Sequence, residues 1–288
     1  MAYRNSFWRR YMGSFWVFVF ILLAIYLLNH PGLLRKALSK FGLAKEMPVT
    51  LSENVNSSYS DFMLPKPSTY GEWIEKPNFL VYYDEDIMQA RFTLHKLEGG
   101  FTRGKASRYG IRFDDQEVLA SQTAAYYDYS GSGYDRGHLV PAGDFKCCQS
   151  EMVETFSMSN IAPFDSVLNR YAWNELEIKT RSLARKNGTI YVITGPVFEH
   201  RFLYIGKQND VSVPTHFFKI LFTLSKDGTK PQNMTAYLMP NEPLYSFDKQ
   251  NMKVSINKLE ELTKLDFFEK LPDDLENKLE AATQTGNW

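Results

Sequence analysis

Hydrophobic and polar positions divide the chain into an apolar amino-terminal run, a polar stretch and a long series of strand-like and helix-like segments. From Tyr11 to Leu28 the run YMGSFWVFVFILLAIYLL carries no charge. As a helix it would span about 27 Å, at ~1.5 Å per residue, against a hydrocarbon thickness of roughly 30 Å. This predicts a membrane anchor over residues 1–32, a single transmembrane helix. A cleaved signal peptide fits less well, because the run is long for a signal core and Asn29-His30-Pro31-Gly32 is a poor cleavage site. A mitochondrial-type targeting and anchoring segment shares the pattern. Arg4, Arg9 and Arg10 precede the run, and Arg35, Lys36 and Lys40 follow it. That near balance leaves orientation poorly set. A single amino-terminal anchor places the remaining chain on the non-cytoplasmic side, at a bacterial inner membrane or a mitochondrial inner membrane.

Residues 33–47 read as a short amphipathic juxtamembrane helix, and residues 48–72, rich in Ser, Asn, Pro and Thr, as a linker. The linker region is taken as 33–75 and the folded domain as 76–288. Strand-like runs recur at Phe79–Tyr83, Ala90–Leu97, Thr189–Thr194, His216–Leu224 and Met234–Met239. A helical stretch runs from Val167 to Lys186 and stops at Asn187-Gly188. The charged, leucine-spaced segment Lys253–Ala282 predicts a closing helix, with Asp248–Glu280 as its solvated face and Thr283–Trp288 as a loose tail. Strands and helices are segregated unevenly, which predicts an α+β fold with a central mixed or antiparallel sheet flanked by helices.

Composition narrows the chemistry only at the margins. Lys and Arg number 33, as do Asp and Glu, so the chain of 288 residues has zero formal charge. A uniformly basic nucleic-acid binder is excluded, whereas a local basic groove is not. The two cysteines, Cys147 and Cys148, are adjacent, and neighbouring cysteines rarely pair. Neither a disulfide framework nor a cysteine-rich zinc site is available.

Candidate chemistry concentrates in Tyr129–Phe145, YSGSGYDRGHLVPAGDF, where Asp135, Arg136 and His138 sit among glycines. A histidine with charged neighbours can serve as a base near neutral pH, and glycines let the backbone approach a ligand closely. The plain alternative is a satisfied loop histidine. Downstream, Asn169, Trp173 and Glu177 recur at i, i+4 and i+8. A neutral amide oxygen and a carboxylate suit a hard cation such as Mg²⁺, which keeps several waters. Helix capping by Asn169 and a surface Glu177 explain the spacing equally well. His95 and His200 read as surface or loop residues, and His216, in an apolar run, as a structural one.

These stretches resemble the DNA/RNA non-specific endonucleases of the ββα-metal type, the endonuclease G-like group. The DRGH motif is Asp135-Arg136-Gly137-His138, continued by Leu139-Val140-Pro141-Ala142-Gly143-Asp144. The family follows it with ETFxxSNxxPQ, then an Asn, a Trp and a Glu. Here these are Glu154 to Pro163 with Asn160 in place, then Asn169, Trp173 and Glu177. Tyr191–Pro196 and Val213–Lys219 are similar to the family too. The resemblance spans roughly residues 76–250 and implies a ββα-metal nuclease fold hydrolysing DNA and RNA to 5′-phosphate ends. It implies that His138 activates water, that Asn169 is the direct protein ligand of Mg²⁺ (or Mn²⁺), and that Glu177 holds the metal's water. Arg136 and Arg108 would meet the phosphate, and Asn160 would shape the substrate site. Contacts limited to phosphate and sugar imply low sequence specificity. Phe164 departs from the family's Gln. The resemblance further implies a homodimer and leaves room for an inhibitor protein, while a catalytically weak nucleic-acid-binding protein of the same fold is the alternative.

Overall fold

The computed structural model describes residues 16–24, 59–69, 71–113, 123–199, 203–207 and 209–286. The chain forms two compact units, Met1–Thr50 and Leu51–Trp288. Of the span expected at 11–28, residues 16–24 are helical and nearly all exposed; the rest, together with residues 33–58 and His200, lies outside the described residues. Among the described residues no helix is long and apolar enough to cross a membrane, so the expected transmembrane helix has no support there.

The second unit is built on one antiparallel sheet. Its main strands are β1 (Glu72–Lys76), β2 (Phe79–Asp84), β3 (Gln89–Glu98), β6 (Thr189–Val197), β7 (His216–Leu224) and β8 (Pro231–Pro240), with the hairpin β4 (Tyr134–His138) and β5 (Ile161–Asp165) separate. The sheet order is β8-β7-β6-β3-β2-β1, and short strands Lys253–Val254 and Gln284–Thr285 both pair with β8. Every pairing is antiparallel, so of the two expected kinds of sheet only one is present. The strands read as continuous apolar runs because both sheet faces are covered. Along β2, Phe79, Val81 and Tyr83 enter one core, while Leu80 and Tyr82 enter the other. Successive side chains of a strand alternate between faces, so a doubly covered strand must be apolar throughout.

Five helices matter here: α1 (Gln149–Glu154), α2 (Ser166–Arg170), α3 (Ala172–Asn187), α4 (Ile256–Thr263) and α5 (Asp273–Ala281). The single helix expected over 167–186 is broken at Tyr171, whose φ of −116° and ψ of −88° are not helical. Asn169 is therefore on α2 and Trp173 and Glu177 on α3, so the three do not share one helical stripe. The stop at Asn187-Gly188 is present, with Gly188 at φ +84°, a conformation glycine adopts without a Cβ penalty. Buried Trp173, Leu176, Thr180, Leu183 and Ala184 mark the face of α3 laid on the sheet.

Several expectations at the ends of the domain are corrected. The expected start at 76 falls inside a hairpin, because β1 pairs with β2 from Glu72↔Tyr83 to Lys76↔Phe79. Tyr59, Phe62 and Met63, within the expected linker, are buried against the second core. The closing helix is two helices, divided where Lys264 takes the left-handed conformation. Their apolar residues Ile256, Leu259 and Leu279 are buried, and so is Glu280, so the segment is not simply a solvated face. Gln284–Thr285 pairs with Met234–Thr235, which ties down most of the tail expected to be loose. His95, expected at the surface, is fully buried in β3. Cys147 and Cys148, expected to stay unpaired, are joined by a disulfide in the turn that leads into α1.

Candidate active site

The β4–β5 hairpin carries the DRGH residues. In register, Gly137 faces Ala162 and His138 faces Ile161. A Cβ at Gly137 would run into the ring of Phe164, so glycine is required by packing. Phe164 stacks on Phe217 at 3.5 Å and lies 5.3 Å from Trp173, ring centre to ring centre. The departure from the family's Gln thus supplies an apolar floor under the hairpin, where an amide would need a partner.

Asn160 is fully buried and all its contacts are with backbone. Its Oδ1 accepts from Val140 N (2.9 Å), and its Nδ2 donates to Val140 O (3.0 Å) and Thr155 O (2.8 Å). The residue fixes the chain two residues past His138. It does not face solvent, so any part it has in shaping the substrate site acts through the backbone it holds.

The His138 imidazole lies between Phe156, at 4.7 Å, and Phe113, at 5.8 Å. Its Nε2 is buried and has no hydrogen-bond partner. Burial, assisted by the Arg108 guanidinium, pushes its pKa down to about 3. The ring is therefore neutral at physiological pH, the state a proton acceptor needs. Arg108 is exposed, with its guanidinium carbon 5.7 Å from the Phe156 ring centre. Arg136 is held more firmly. It lies 3.8 Å over the Tyr126 ring and donates to Tyr126 O (2.8 Å) and Ser130 Oγ (2.9 Å).

Asn169 is positioned by a residue that motif reading left without a role. Its Nδ2 donates to Asp135 Oδ2 at 3.1 Å, and Arg170 donates to both oxygens of the same carboxylate at 2.9 and 2.7 Å. Bidentate arginine–carboxylate pairing gives Asp135 a defined orientation. With its nitrogen so held, the amide of Asn169 turns its oxygen the other way. Asp165 caps α2 by accepting from Val167 N and Leu168 N, which fixes the helix on which Asn169 sits.

Glu177 stands at the open edge of a charged cluster between α3 and the sheet. Its Oε2 is 3.6 Å from Arg181 Nη1, one turn further along. Arg181 donates to Asp144 Oδ1 at 3.1 Å, and Asp144 Oδ2 is 3.0 Å from His95 Nε2. Lys219 donates to Thr194 Oγ1 at 2.7 Å, with its Nζ 4.8 Å from the Trp173 ring centre. Burial pushes Glu177 up to about 7 against the pull of Lys219 and Arg181. Burial likewise lowers Lys219 to about 8 and holds His95 below its ordinary value. One signal was present in the chain: Lys219 is the only charge in the apolar run HFFKILFTL. His216, at the start of the same run, is partly exposed, with its Nδ1 3.8 Å from Glu199.

The donor set suits a hard divalent cation. Asn169 offers a single neutral oxygen with its amide fixed in direction, and Glu177 offers a carboxylate that is 16% exposed. Mg²⁺ accepts few protein oxygens and keeps several waters.

The DNA/RNA non-specific endonuclease family model matches residues 60–274. Mitochondrial endonuclease G of Bos taurus is 37% identical over 179 residues, which cover 59% of this chain and 59% of that protein. The match thus spans about three fifths of the bovine protein's length. Nuclease C1 of Cunninghamella echinulata var. echinulata is 32% identical over 240 residues, 79% of this chain and 94% of that one. Among solved structures, the crystal structure of an EndoG/EndoGI complex matches with a TM-score of 0.65 and 29% identity. The match covers 72% of this chain and 89% of the solved one.

Proposed function

The chain belongs to the DNA/RNA non-specific endonuclease family, and from that premise we propose that it hydrolyses DNA and RNA phosphodiester bonds with a divalent cation held at Asn169. The observation that carries the reading is the Asp135–Asn169 clamp, built from the same strand that presents a neutral His138. His138 takes the proton of the attacking water. Glu177 accepts hydrogen bonds from water beside the cation, and Arg181 holds its carboxylate. Arg136, braced on Tyr126, and the exposed Arg108 neutralise the phosphate as charge builds on it. A bound Mg²⁺ or Mn²⁺ would supply Lewis acidity to ease departure of the 3′ oxygen, which takes up a proton from solvent. Protonation of that 3′ oxygen leaves a 5′-phosphate and a 3′-hydroxyl.

The bovine and Schizosaccharomyces pombe relatives are mitochondrial by name, which supports a mitochondrial location. The solved relative is described in complex with EndoGI as the mechanism of its inhibition, which supports an inhibitor protein as a partner. A homodimer stays in the proposal on the family resemblance alone.

The test incubates the full chain with supercoiled plasmid and with RNA, in Mg²⁺ and in EDTA. Cleavage is expected to need the cation and to fall about 10²–10⁴-fold in His138→Ala. In Asn169→Ala it should be restored only by much higher metal. Cleavage unchanged in His138→Ala would overturn the assignment. A folded chain that retains nucleic acid in a salt-dependent gel shift, without cutting it, would favour a binding protein of the same fold.

A further inference from the structure

We propose that Tyr171 and Tyr245 form a stacking platform for an unpaired nucleobase beside the candidate cation site at Asn169, so that single strands of DNA or RNA are the preferred substrate. The inference deepens the nuclease reading and rests on it.

Two separate segments bring the rings together. Tyr171 stands at the break between α2 and α3, one residue past Arg170 and two past Asn169. Its Cα is therefore within ~7.6 Å of that of Asn169, two peptide units at most. Tyr245 lies in the loop after β8, and that loop is fastened on both sides of it. Asn241 Oδ1 accepts from Asp165 N at 2.7 Å, and its Nδ2 donates to Pro163 O and Pro214 O, each at 2.9 Å. Leu244 O accepts from Ala172 N at 3.4 Å, and Phe247 N donates to Glu175 Oε2 at 2.7 Å. Leu244 and Phe247 pack against the core on the α3 face. Tyr245, between them, is turned outward and is 67% exposed, and Tyr171 is 51% exposed. The two ring centres are 5.5 Å apart, with the planes inclined at 47°.

The backbone under both rings is held while the rings themselves stay in water. Burial of apolar surface therefore does not account for the pair, whereas a flat ligand entering from solvent would. Every base has a π face, and its stacking on an aromatic ring tolerates any sequence. Inside a duplex those faces are covered by neighbouring bases, so only an unpaired strand can offer them. Charge favours the same occupant. Further along the loop, burial and the charges of Lys253 and Lys179 hold the Lys249 ammonium below its ordinary value, which places three cations close together. Of the carboxylates beside them, Glu175 accepts from Phe247 N, and Asp248 accepts from Gln250 N and Asn251 N. Glu242 stands at the other end of the loop. A strand leaving the platform toward Lys249 thus meets positive charge for its phosphates.

The test compares the full chain with Tyr171→Ala, Tyr245→Ala and the corresponding Phe variants. Substrates are a single-stranded DNA, the RNA of the same sequence and the DNA duplex. Cleavage is measured in Mg²⁺, and affinity in EDTA by fluorescence anisotropy at fixed salt. Tyr245→Ala should weaken single-strand affinity and kcat/KM by about 5- to 150-fold, the range for one lost base stack. The loss should fall mainly on KM, affect the duplex far less and be reversed in Tyr245→Phe. A strand carrying abasic sites should bind the unaltered chain as weakly as the intact strand binds Tyr245→Ala. Tyr171→Ala should behave alike. Should it disturb Asn169 and raise the metal requirement, Tyr245→Ala, on its separate loop, decides. Equal losses on single strand and duplex, or no loss, overturn the platform. A Tyr245→Ala chain whose mass in light scattering changes while its strand selectivity does not overturns it in favour of a contact between copies. An unaltered chain that cuts nothing, yet binds single strands through these rings in EDTA, fails the nuclease reading and leaves the platform standing as a binding site.

Discussion

The two faces of the central sheet are made by the same strands, yet they bury different chemistry. On β7, Phe218, Ile220 and Phe222 enter a core of rings and aliphatic side chains under α4 and α5. The alternate residues Phe217, Lys219 and Leu221 point toward α3, and there the core encloses His95, Asp144 and Lys219 at 1% exposure or less, with Glu177 at its edge. The first face stabilises by removing apolar surface from water. The second gives up part of that stabilisation, because desolvating charges opposes what their pairing returns. What sets the candidate-site face apart is a lysine, a histidine and carboxylates buried together, with burial shifting Glu177 and Lys219 in opposite directions.

The comparison can be broken most sharply on the apolar face. Phe222 stacks on Tyr191 at 5.4 Å and meets Phe268 edge-on at 5.4 Å. Phe222→Ala should lower unfolding stability by about 3–5 kcal/mol, measured by denaturant unfolding, with kcat per folded molecule unchanged. A loss of kcat at full folding would show that this face too serves the reaction.

On the site face, Asp135→Ala should do the reverse. It removes the acceptor that holds Asn169 Nδ2 and Arg170. Partners that orient a metal ligand are typically worth about 10–100-fold in metal affinity. The expected outcome is an activating metal concentration raised by that factor, with stability little altered and activity recovered at high metal. Failure of metal to rescue would place Asp135 in a different role.

The smallest effect concerns Lys219. Glu177 is raised toward 7 by burial and pulled back by Lys219, then Arg181. Lys219→Met removes a cause that lowers its pKa, so the carboxyl should hold its proton to higher pH. If ionised Glu177 is needed, the acid limb of the kcat–pH profile, measured at saturating metal, moves to higher pH. Arg181 remains to pair Glu177 and Asp144, so the stability loss should stay below the about 3–5 kcal/mol typical of removing one partner of a buried pair. An unmoved acid limb would detach the Lys219 cluster from catalysis.

The legible parts of the molecule were those set by near neighbours. The runs Phe79–Tyr83 and His216–Leu224 are strands because largely apolar sequences rich in aromatic and β-branched residues suit a doubly covered sheet. Gly188 ends α3 as its place after Asn187 suggests. The break at Tyr171 was not legible, since no proline or glycine marks it. Asn160 reads as a site residue by motif, yet both ends of its amide are taken up by the backbone of Val140 and Thr155. Asp135 stands in plain view within the motif, but its partner Asn169 lies 34 residues away.

By itself, the sequence determined the apolar strand runs, the helix stop at Gly188 and the residue types that suit metal-assisted hydrolysis. Those follow from side-chain chemistry and from steric preferences that act over a few residues. Tertiary structure alone decided that His95 is buried rather than exposed, that Lys219 faces Trp173, and that Tyr171 meets Tyr245. Burial and charge pairing depend on which distant elements share a face, and local preference carries no information about that.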